Sequence, residues 1–372
     1  MKVVSIQLRD FRSYARAEAC LGAGLTVLHG PNGAGKSNLL EALYFGCTGH
    51  ALRARNEREL VRFGERTTRV VVHTDDGREQ HELSVGYGLF AEGERPVKHM
   101  RADGAPVERL LDVESRPLVS VFLPDRLELI KGTPALRRAH LDALIAGLWP
   151  TRTATRRAYS RVLAQRNALL ASIRAGRAAR ETLPSWDQEL AIHAVALRAD
   201  RAAAVARIAE LFAERAQQLG LQSGATLEYR PRSGAQSPEE FVGELQERLA
   251  GELQRGFSSH GPHRDELVFL REGRELRTYG SQGEQRLALL ALLLAERSVL
   301  AQERSHTPLM LLDDVMSELD SQRRELLAEE LSSAGQSVIA TTDLAHVPAA
   351  GDRHTTRLRI SPGAVLREAL AA

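Results

Sequence analysis

The segment from Gly30 to Ser37 constrains the fold of this chain more than any other feature. It reads Gly-Pro-Asn-Gly-Ala-Gly-Lys-Ser and matches the pattern G-x-x-x-x-G-K-[ST]. It also lies between a strand-like run and a run with helical spacing, which is the context that a phosphate-binding loop requires. Glycines let successive backbone N–H groups point into one concavity, and the N-terminus of the following helix adds partial positive charge. The segment therefore predicts a site for the phosphates of ATP.

Every residue of this loop is expected to contact the nucleotide. The predicted cofactor-binding residues here are those of the loop and the residue after it, namely Gly30, Pro31, Asn32, Gly33, Ala34, Gly35, Lys36, Ser37 and Asn38. We expect Lys36 to reach the outer phosphates and to take part in hydrolysis, and the Ser37 hydroxyl to ligate Mg²⁺. Only four of the 50 lysine and arginine residues are lysine, so composition does not explain a lysine at position 36.

A second candidate element is the apolar run that ends in Asp313 and Asp314. In P-loop ATPases such a strand carries a Mg²⁺ ligand, and a nearby residue positions the attacking water. We therefore expect Asp313 to hold Mg²⁺ together with Ser37, and Asp314 to be a catalytic residue. The long separation of this strand from the phosphate loop leaves room for an inserted domain.

The segment Ser281–Gln285 directly precedes an apolar helix and resembles the S-x-G-x-Q signature of ABC ATPases. In that superfamily, the serine and the helix N-terminus bind the γ-phosphate of a nucleotide held by a partner subunit. The resemblance implies that Ser281, Gly283 and Gln285 contact ATP. An ordinary serine N-cap is the alternative explanation for Ser281. At the end of the last core strand, Thr341 is expected to donate a hydrogen bond near the γ-phosphate.

The pattern along the chain predicts an α/β fold with an inserted helical arm. The first 120 or so residues contain strand-like runs with hairpin turns at Asp76-Gly77 and Asp103-Gly104. Helical spacing dominates from about Ala135 to Gly220, and strands are expected at Glu266–Leu270 and Leu276–Tyr279. The last hundred residues alternate strand and helix, as parallel sheets do.

These segments divide the chain into two predicted domains. Residues 1–115 and 250–372 are assigned to an ABC-type P-loop ATPase head, and residues 116–249 to a helical arm. The arm is predicted to be a helical hairpin whose first helix is stopped near Pro184.

The first helix of this hairpin, within Thr151–Arg180, contains eight arginines and no acidic residue. A basic helix face of this kind is typical of nucleic-acid binding. The residues that we expect to contact DNA are Arg152, Arg156, Arg157 and Arg161. A solvated surface helix is the alternative, because arginine is the default basic residue of this chain and its net charge is only +2.

Taken together, these motifs resemble the RecF family, the bacterial recombination-mediator ATPases of the SMC-like ABC group. The similar segments span nearly the whole chain: Leu8–Tyr14, the phosphate loop, Phe122–Asp125, Ile130–Gly132, Gln165–Asn167, Trp186–Asp187, His260–Asp265, Ser281–Gln285, Leu311–Val315 and Ser317–Asp320. The segment His260–Asp265 is the most specific, since ordinary ABC proteins lack it.

The resemblance implies an ATP-controlled clamp rather than a metabolic enzyme. RecF-like proteins dimerise head-to-tail around ATP and Mg²⁺ and bind gapped or single-stranded DNA in that state. With RecO and RecR they help to load RecA in recombinational repair and replication restart. The resemblance also implies that Arg12 contacts a phosphate or the base. Asp314 stands where most ABC proteins have a glutamate, which agrees with slow hydrolysis that reopens the dimer.

Two other functions fit less well. The nucleotide-binding subunit of an ABC transporter usually has a histidine after its last core strand, where this chain has Thr341–Asp343. A P-loop small-molecule kinase would leave Ser281 without a role. The sequence shows neither a membrane-spanning apolar run nor a signal peptide, so we expect a cytoplasmic location.

His260 and His263 are three residues apart, a spacing that can indicate a metal site. The intervening Gly-Pro and the lack of nearby cysteine or glutamate ligands argue against one. We expect these histidines to be structural or to face phosphate. No role is assigned to Lys131 or Asp343.

Overall fold

The computed structural model describes residues 1–54, 56–89, 95–221, 224–304, 306–333 and 335–368. The strands of this part of the chain are β1 (Lys2–Phe11), β2 (Tyr14–Cys20), β3 (Leu25–His29), β4 (Thr67–Asp75), β5 (Gln80–Gly88), β6 (Val97–Ala102), β7 (Ala105–Pro106), β8 (Val119–Phe122), β9 (Ala225–Arg230), β10 (Glu266–Arg271), β11 (Arg274–Glu275), β12 (Leu309–Asp313), β13 (Ser337–Thr341), β14 (Thr356–Ser361) and β15 (Ala364–Glu368). The α-helices are α1 (Lys36–Thr48), α2 (Glu128–Lys131), α3 (Pro134–Leu148), α4 (Thr153–Arg174), α5 (Leu183–Gln218), α6 (Pro238–Arg255), α7 (Leu276–Tyr279), α8 (Gln282–Arg304) and α9 (Ser321–Ser333). The chain forms two compact units, residues 1–125 with 300–372 and residues 126–299.

The first unit contains a sheet whose central strands are parallel. Its strand order is β15-β14-β3-β13-β12-β8, with β15 antiparallel to β14 at one edge. This sheet confirms the alternation predicted for the last part of the chain. Because β3, β13 and β12 are adjacent and parallel, their carboxyl ends meet at one edge of the sheet. The phosphate loop, Thr341 and Asp313 are thereby brought together.

An antiparallel sheet completes the first unit. Its order is β2-β1-β4-β5-β6-β7, and the predicted Asp76-Gly77 and Asp103-Gly104 turns join β4 to β5 and β6 to β7. Helix α1 begins at the end of the phosphate loop, as predicted, and its side chains Leu39, Leu40 and Leu43 are fully buried in a core that includes residues of both sheets. Each such leucine stabilises the fold by roughly 2 kcal/mol, so this packing holds the loop firmly against the sheets.

The second unit is mainly helical. Helices α4 and α5 form the predicted hairpin, and α6 packs on both. Their shared core includes Tyr159, Leu190 and Phe241. Strands β9, β10 and β11 form a small antiparallel sheet.

Two local predictions were wrong. Leu276–Tyr279 forms the short helix α7 rather than a strand, since so short an apolar run does not distinguish the two structures. Pro184 lies in the first turn of α5, where its missing N–H leaves no hydrogen bond unmade. The first arm instead ends at Arg174, ahead of Gly176 with a φ of 69°.

The structural units also differ from the predicted domains. Residues 250–299, which the sequence assigned to the ATPase head, are part of the second unit. The physical reason is that β10 pairs with β9 along Glu266–Arg271 and Ala225–Arg230, and α3 packs against β10.

Candidate nucleotide-binding site

Glycine is required at two positions of the phosphate loop. Gly30 has a φ of 154°, and a Cβ atom there would lie 2.2 Å from the carbonyl oxygen of Ile360. Gly35 has a φ of 115°, and its Cβ would lie 2.8 Å from the hydroxyl oxygen of Tyr14. That hydroxyl also donates a hydrogen bond of 3.0 Å to the Gly35 carbonyl. Neighbouring elements therefore fix a backbone that only glycine adopts without strain.

The rest of the loop is divided between exposed and buried residues. Pro31, Asn32 and Gly33 are exposed, whereas Ala34 is buried. Asn38 donates from Nδ2 to the Ser13 hydroxyl at 2.9 Å. The exposed segment is thus the part of the loop that a ligand reaches first.

The Lys36 side chain folds back over the phosphate loop. Its Nζ donates to the carbonyl oxygens of Gly30 at 2.7 Å and Pro31 at 3.0 Å. Burial lowers the pKa of Lys36, while Asp313 and Asp314 raise it. The amine therefore lies among backbone acceptors, with two carboxylates near enough to influence its protonation.

The two predicted Mg²⁺ ligands are adjacent. The side chain of Ser37 lies beside the carboxylate of Asp313, which is at the end of β12. Burial raises the pKa of Asp313, and the polar Ser37 hydroxyl and the charge of Arg53 oppose that rise. Hydroxyl and carboxylate oxygens are hard ligands of the kind that Mg²⁺ prefers, so this donor set fits the ion.

Asp314 follows β12 in a left-handed backbone conformation. Its backbone adopts a φ of 49°, and its N–H donates to the Ala340 carbonyl at 3.0 Å. Its Oδ1 atom is buried without a hydrogen-bond partner among the described residues. A buried carboxylate oxygen without a partner lowers the stability of the fold. Costs of this kind are common at functional sites.

The sequence did not identify Glu41 and Arg53, which join Arg12 in a partly buried ionic cluster. Arg12 binds Glu41 through Nε at 2.9 Å and Nη2 at 3.2 Å. Arg53 donates to Glu41 from its backbone N–H at 3.1 Å and from Nη2 at 3.5 Å, and its Nη1 lies 4.0 Å from Asp313. Glu41 is completely buried. Glu41 could have been noticed in the sequence as an acid within the apolar run of α1. No sequence pattern points to Arg53.

The signature segment lies at the N-terminus of α8 in the second unit. The Ser281 N–H donates to Glu284 at 2.7 Å, and the Glu284 N–H donates to the Ser281 hydroxyl at 3.3 Å. This is a capping box, so the serine N-cap considered above is present. Ser281 and Gly283 are exposed, and a Cβ on Gly283 would meet only the Ser281 hydroxyl, at 4.0 Å. The helix end is therefore open to a ligand.

Two other predicted nucleotide contacts have hydrogen bonds within the chain. Gln285 is buried, and its Nε2 donates to the carbonyls of Leu276 at 2.9 Å and Gly280 at 3.2 Å. Thr341 is buried, and its hydroxyl donates to the Asp343 carbonyl at 2.9 Å. The Asp343 carboxylate accepts from the Ala345 N–H at 2.9 Å. These contacts give Gln285 and Asp343 a structural role in supporting the loops.

The arm arginines expected to contact DNA are all exposed on α4 or just before it. Arg152 pairs with Asp200 at 3.0 Å and lies 4.2 Å from the centre of the Trp149 ring. Arg156, Arg157 and Arg161 lie further along α4, outside its buried residues.

The two histidines of the His260–Asp265 segment have protein partners. His260 Nε2 lies 2.5 Å from Glu244, and His263 Nδ1 lies 2.7 Å from the Tyr159 hydroxyl. Within the described residues, no cluster of His, Cys, Asp and Glu side chains is arranged to hold a metal ion. Lys131 forms an exposed pair with Glu128 at 3.5 Å.

The sequence matches one family model and proteins of that same family along most of its length. Residues 2–357 match the model of the RecF/RecN/SMC N-terminal domain. The chain is 36% identical to the DNA replication and repair protein RecF of Heliobacterium modesticaldum over 354 residues, covering 93% of each chain. It is also 36% identical to the protein of that name from Streptomyces avermitilis over 388 residues, covering 99% of this chain and all of that one.

Solved structures agree with these sequence matches. A structure of the recombination mediator protein RecF with ATP, from the RecFOR pathway, has a TM-score of 0.87 and 27% identity, covering 99% of this chain and 97% of that one. An SMC head bound to the winged-helix domain of ScpA has a TM-score of 0.59 at 16% identity, which shows the shared fold alone. Among the helices of the described residues, none is long and apolar enough to cross a membrane.

Proposed function

This chain belongs to the RecF family of DNA replication and repair proteins, and on that premise we propose that it is an ATP-controlled DNA clamp. The observation that carries the proposal is the meeting of Lys36, Ser37 and Asp313 at one edge of the parallel sheet. Such an arrangement binds a nucleoside triphosphate and responds to whether its γ-phosphate is present.

ATP is the ligand of this site. The exposed N–H groups of the phosphate loop and the amine of Lys36 are suited to the phosphates. The Lys36 ammonium has three N–H donors, and two of them contact the Gly30 and Pro31 carbonyls. The third donor is left for a phosphate oxygen.

We propose that Ser37 and Asp313 hold Mg²⁺ and that Asp314 acts on the attacking water. A bound Mg²⁺ would neutralise charge on the β- and γ-phosphates. Asp314 is one methylene shorter than the glutamate usual in ABC proteins, so hydrolysis should be slow. In this proposal the chain is a weak ATPase in which hydrolysis resets the clamp.

We further propose that ATP joins two copies of the chain head-to-tail. The exposed N-terminus of α8, with Ser281 and Gly283, offers N–H groups and a partial positive charge to a phosphate. In the dimer, these donors would complete the phosphate site of the other copy. Bound ATP would then control a surface that neither copy forms alone.

DNA is the proposed partner of the closed dimer, with gapped or single-stranded–double-stranded junctions as the preferred form. RecO and RecR are the proposed protein partners, and RecA loading the outcome. The family membership, the exposed arm arginines and the recombination role of the solved relative support this proposal. The transporter alternative is not favoured, since the relatives are DNA repair proteins.

The test is binding of a fluorescent gapped duplex, followed by anisotropy with and without ATP and Mg²⁺. We expect tight binding only with ATP, and loss of nucleotide and DNA binding together in Lys36→Ala. Phosphate contacts release counterions, so affinity should fall steeply with salt. Equal DNA affinity with and without ATP would contradict the clamp, and unchanged ATP affinity in Lys36→Ala would contradict the site.

A further inference from the structure

The outer face of the antiparallel sheet carries a row of basic side chains that none of the motifs above explains. Arg9 of β1 lies directly opposite Arg16 of β2 on one side and Arg69 of β4 on the other. Arg69 in turn lies opposite Gly86 of β5, which lies opposite His99 of β6. One register line across five strands thus contains three arginines, a glycine and a histidine.

These arginines point to solvent. The Arg9 side chain is 68% exposed, and Arg16 and Arg69 are also exposed. Their contacts are slight, since Arg9 lies 3.8 Å from Asp10 and Arg69 donates to the Ser84 hydroxyl at 3.2 Å. They line a shallow concavity of about 670 Å³ on the sheet face.

The nearest acids in that concavity are engaged with other side chains. Glu18 accepts a hydrogen bond from Gln7 at 3.5 Å, and Glu82 lies 3.5 Å from His73. Both lie outside the register line of the arginines, because Glu18 is opposite Gln7 and Glu82 is opposite His73. The line itself therefore carries positive charge without an interleaved acid.

Like charges directly opposite each other destabilise a sheet, so this arrangement acts against folding. The arginine-rich composition explains why the basic residues are arginine, but it does not place three of them in one register. A cost to the fold at an exposed position indicates a ligand that neutralises the charges. An anionic polymer matches a line of regularly spaced cations better than a single small anion does.

The dimensions suit one strand of nucleic acid. Neighbouring strands of a sheet are about 4.8 Å apart, so the backbones of Arg16 and Arg69 are separated by roughly 10 Å. Over that length one strand of a duplex advances about three nucleotides, at 3.4 Å each. Gly86, which has no side chain to block a ligand, extends the line beyond Arg69.

An exposed aromatic side chain lies beside the end of β1. Phe63 is fully exposed, at 101% relative accessibility. The preceding residue, Arg62, donates its backbone N–H to the Asp10 carbonyl at 2.8 Å, directly after Arg9 in the chain. A fully exposed phenylalanine next to arginines is typical of surfaces on which unpaired bases stack.

We propose that Arg9, Arg16 and Arg69 bind the sugar–phosphate backbone of a nucleic-acid strand and that Phe63 stacks on an unpaired base of it. This proposal rests on the proposed DNA-binding function and assigns it a surface on the first unit, separate from the arm arginines of the second. The phosphate contacts serve duplex and single-stranded DNA alike, whereas the Phe63 contact requires an unpaired base.

The experiment compares charge-matched variants by anisotropy on duplex, single-stranded and gapped DNA across a salt series with ATP. We expect Arg9→Gln/Arg16→Gln/Arg69→Gln to lower affinity for all three at least tenfold and to reduce the salt slope on duplex by about 2.7. The matched control, Arg78→Gln/Arg353→Gln/Arg367→Gln, removes three exposed charges elsewhere in the same unit and should change each affinity less than twofold. Phe63→Ala should weaken single-stranded and gapped DNA about tenfold and leave duplex binding unchanged.

Thermal unfolding separates loss of contact from loss of fold. Because the row is a line of like charges, the triple variant should melt at the wild-type temperature or above it. Wild-type protein that binds no DNA in ATP overturns the proposed function and this surface together. Wild-type binding that the triple variant retains, at unchanged salt slope, overturns this surface alone. An equal loss in the control triple also overturns it, since net charge would then explain the effect.

Discussion

Glu41 is the residue on which two cations of the nucleotide site depend. It is completely buried and accepts hydrogen bonds from Arg12 and Arg53. Glu41→Gln keeps the shape of the side chain but leaves two guanidinium groups without their counter-charge. We expect it to lower the free energy of unfolding by about 3 kcal/mol, measured by urea denaturation.

An exposed acid of the same unit provides the control. Glu65 pairs with Arg62 at 3.8 Å with both side chains exposed, and Glu65→Gln should change stability by less than about 0.5 kcal/mol. If the two variants unfold at the same urea concentration, the cluster around Glu41 is not stabilising.

Asp314 is expected to act on the chemical step and not on binding. Asn is the substitution of choice because it tolerates the positive φ of 49° at this position. Asp314→Asn should lower the ATP hydrolysis rate about a hundredfold or more, since general base catalysis contributes that much. Its ATP affinity should remain within a few-fold of wild type, as measured by isothermal titration calorimetry. A variant that hydrolyses ATP normally would exclude Asp314 as the base.

The residues of the phosphate site differ in how far the sequence predicts them. The phosphate loop is a local pattern whose chemistry is contained in eight consecutive residues, so its conformation follows from glycine and helix geometry. The cluster of Arg12, Glu41 and Arg53 depends on contacts 29 and 12 residues apart. Such pairs arise from the packing of α1 against the sheets, which no local pattern specifies.

At the scale of elements, the turn around His263 links stability to pH. Burial lowers the pKa of His263 from 6.5 to about 4. The ring fits its site when neutral, with Nδ1 accepting from the Tyr159 hydroxyl and Nε2 donating to the Ser258 carbonyl at 3.1 Å. Arg264 and Arg138 also disfavour its protonation, and Glu252 opposes them.

The sign of the pH effect follows from these values. Between pH 6.5 and about 4 the unfolded chain binds the proton and the folded chain does not, so stability is full above 6.5 and is lost as the pH falls. The loss amounts to roughly 3 kcal/mol. In His263→Gln, urea denaturation should show a correspondingly flatter dependence on pH over this range. An unchanged slope would mean that other groups cause the acid sensitivity.

The helical hairpin depends on a buried ion pair cluster at Arg166. This side chain is fully buried and binds Asp187 and Glu252, each at 2.6 Å, and the Ser258 hydroxyl. Arg166→Met leaves two buried carboxylates without a counter-charge, and we expect a loss of about 3–5 kcal/mol. Arg161→Met, on an exposed position of the same helix, should cost less than about 1 kcal/mol. Thermal denaturation of the two variants tests the difference.

The elements themselves were largely predictable, and the exceptions have local causes. Long periodic segments such as α4 and α5 are specified by their apolar spacing. The sequence could not show that Arg166, among the eight arginines of Thr151–Arg180, faces the core. In the sequence, an arginine that is exposed to solvent cannot be distinguished from one that pairs with a buried acid such as Asp187.

At the scale of the whole molecule, the proposed composite site makes a prediction about mixtures of chains. Lys36 and Ser281 of one chain would serve different phosphate sites in a head-to-tail dimer. Lys36→Ala and Ser281→Arg should each remain monomeric in ATP by light scattering and hydrolyse almost no ATP. Mixed in equal amounts, the Ser281→Arg chain supplies an intact Lys36 and the Lys36→Ala chain an intact Ser281, so one site of each mixed dimer is complete.

Because neither variant pairs with itself in ATP, the dimers that form are mixed and each has one complete site of two, so the mixture should regain up to about half of the wild-type ATPase activity. A mixture of Lys36→Ala with Asp314→Asn is the control, because both substitutions then lie on the same side of the composite site. Each mixed dimer would have one site without Lys36 and one without Asp314, and no activity should return. Recovery in the control would mean that Lys36 and Asp314 of one site come from different chains. No recovery in the test mixture would mean that the two chains do not share a site, and ATP would then close the clamp by some means other than a shared phosphate.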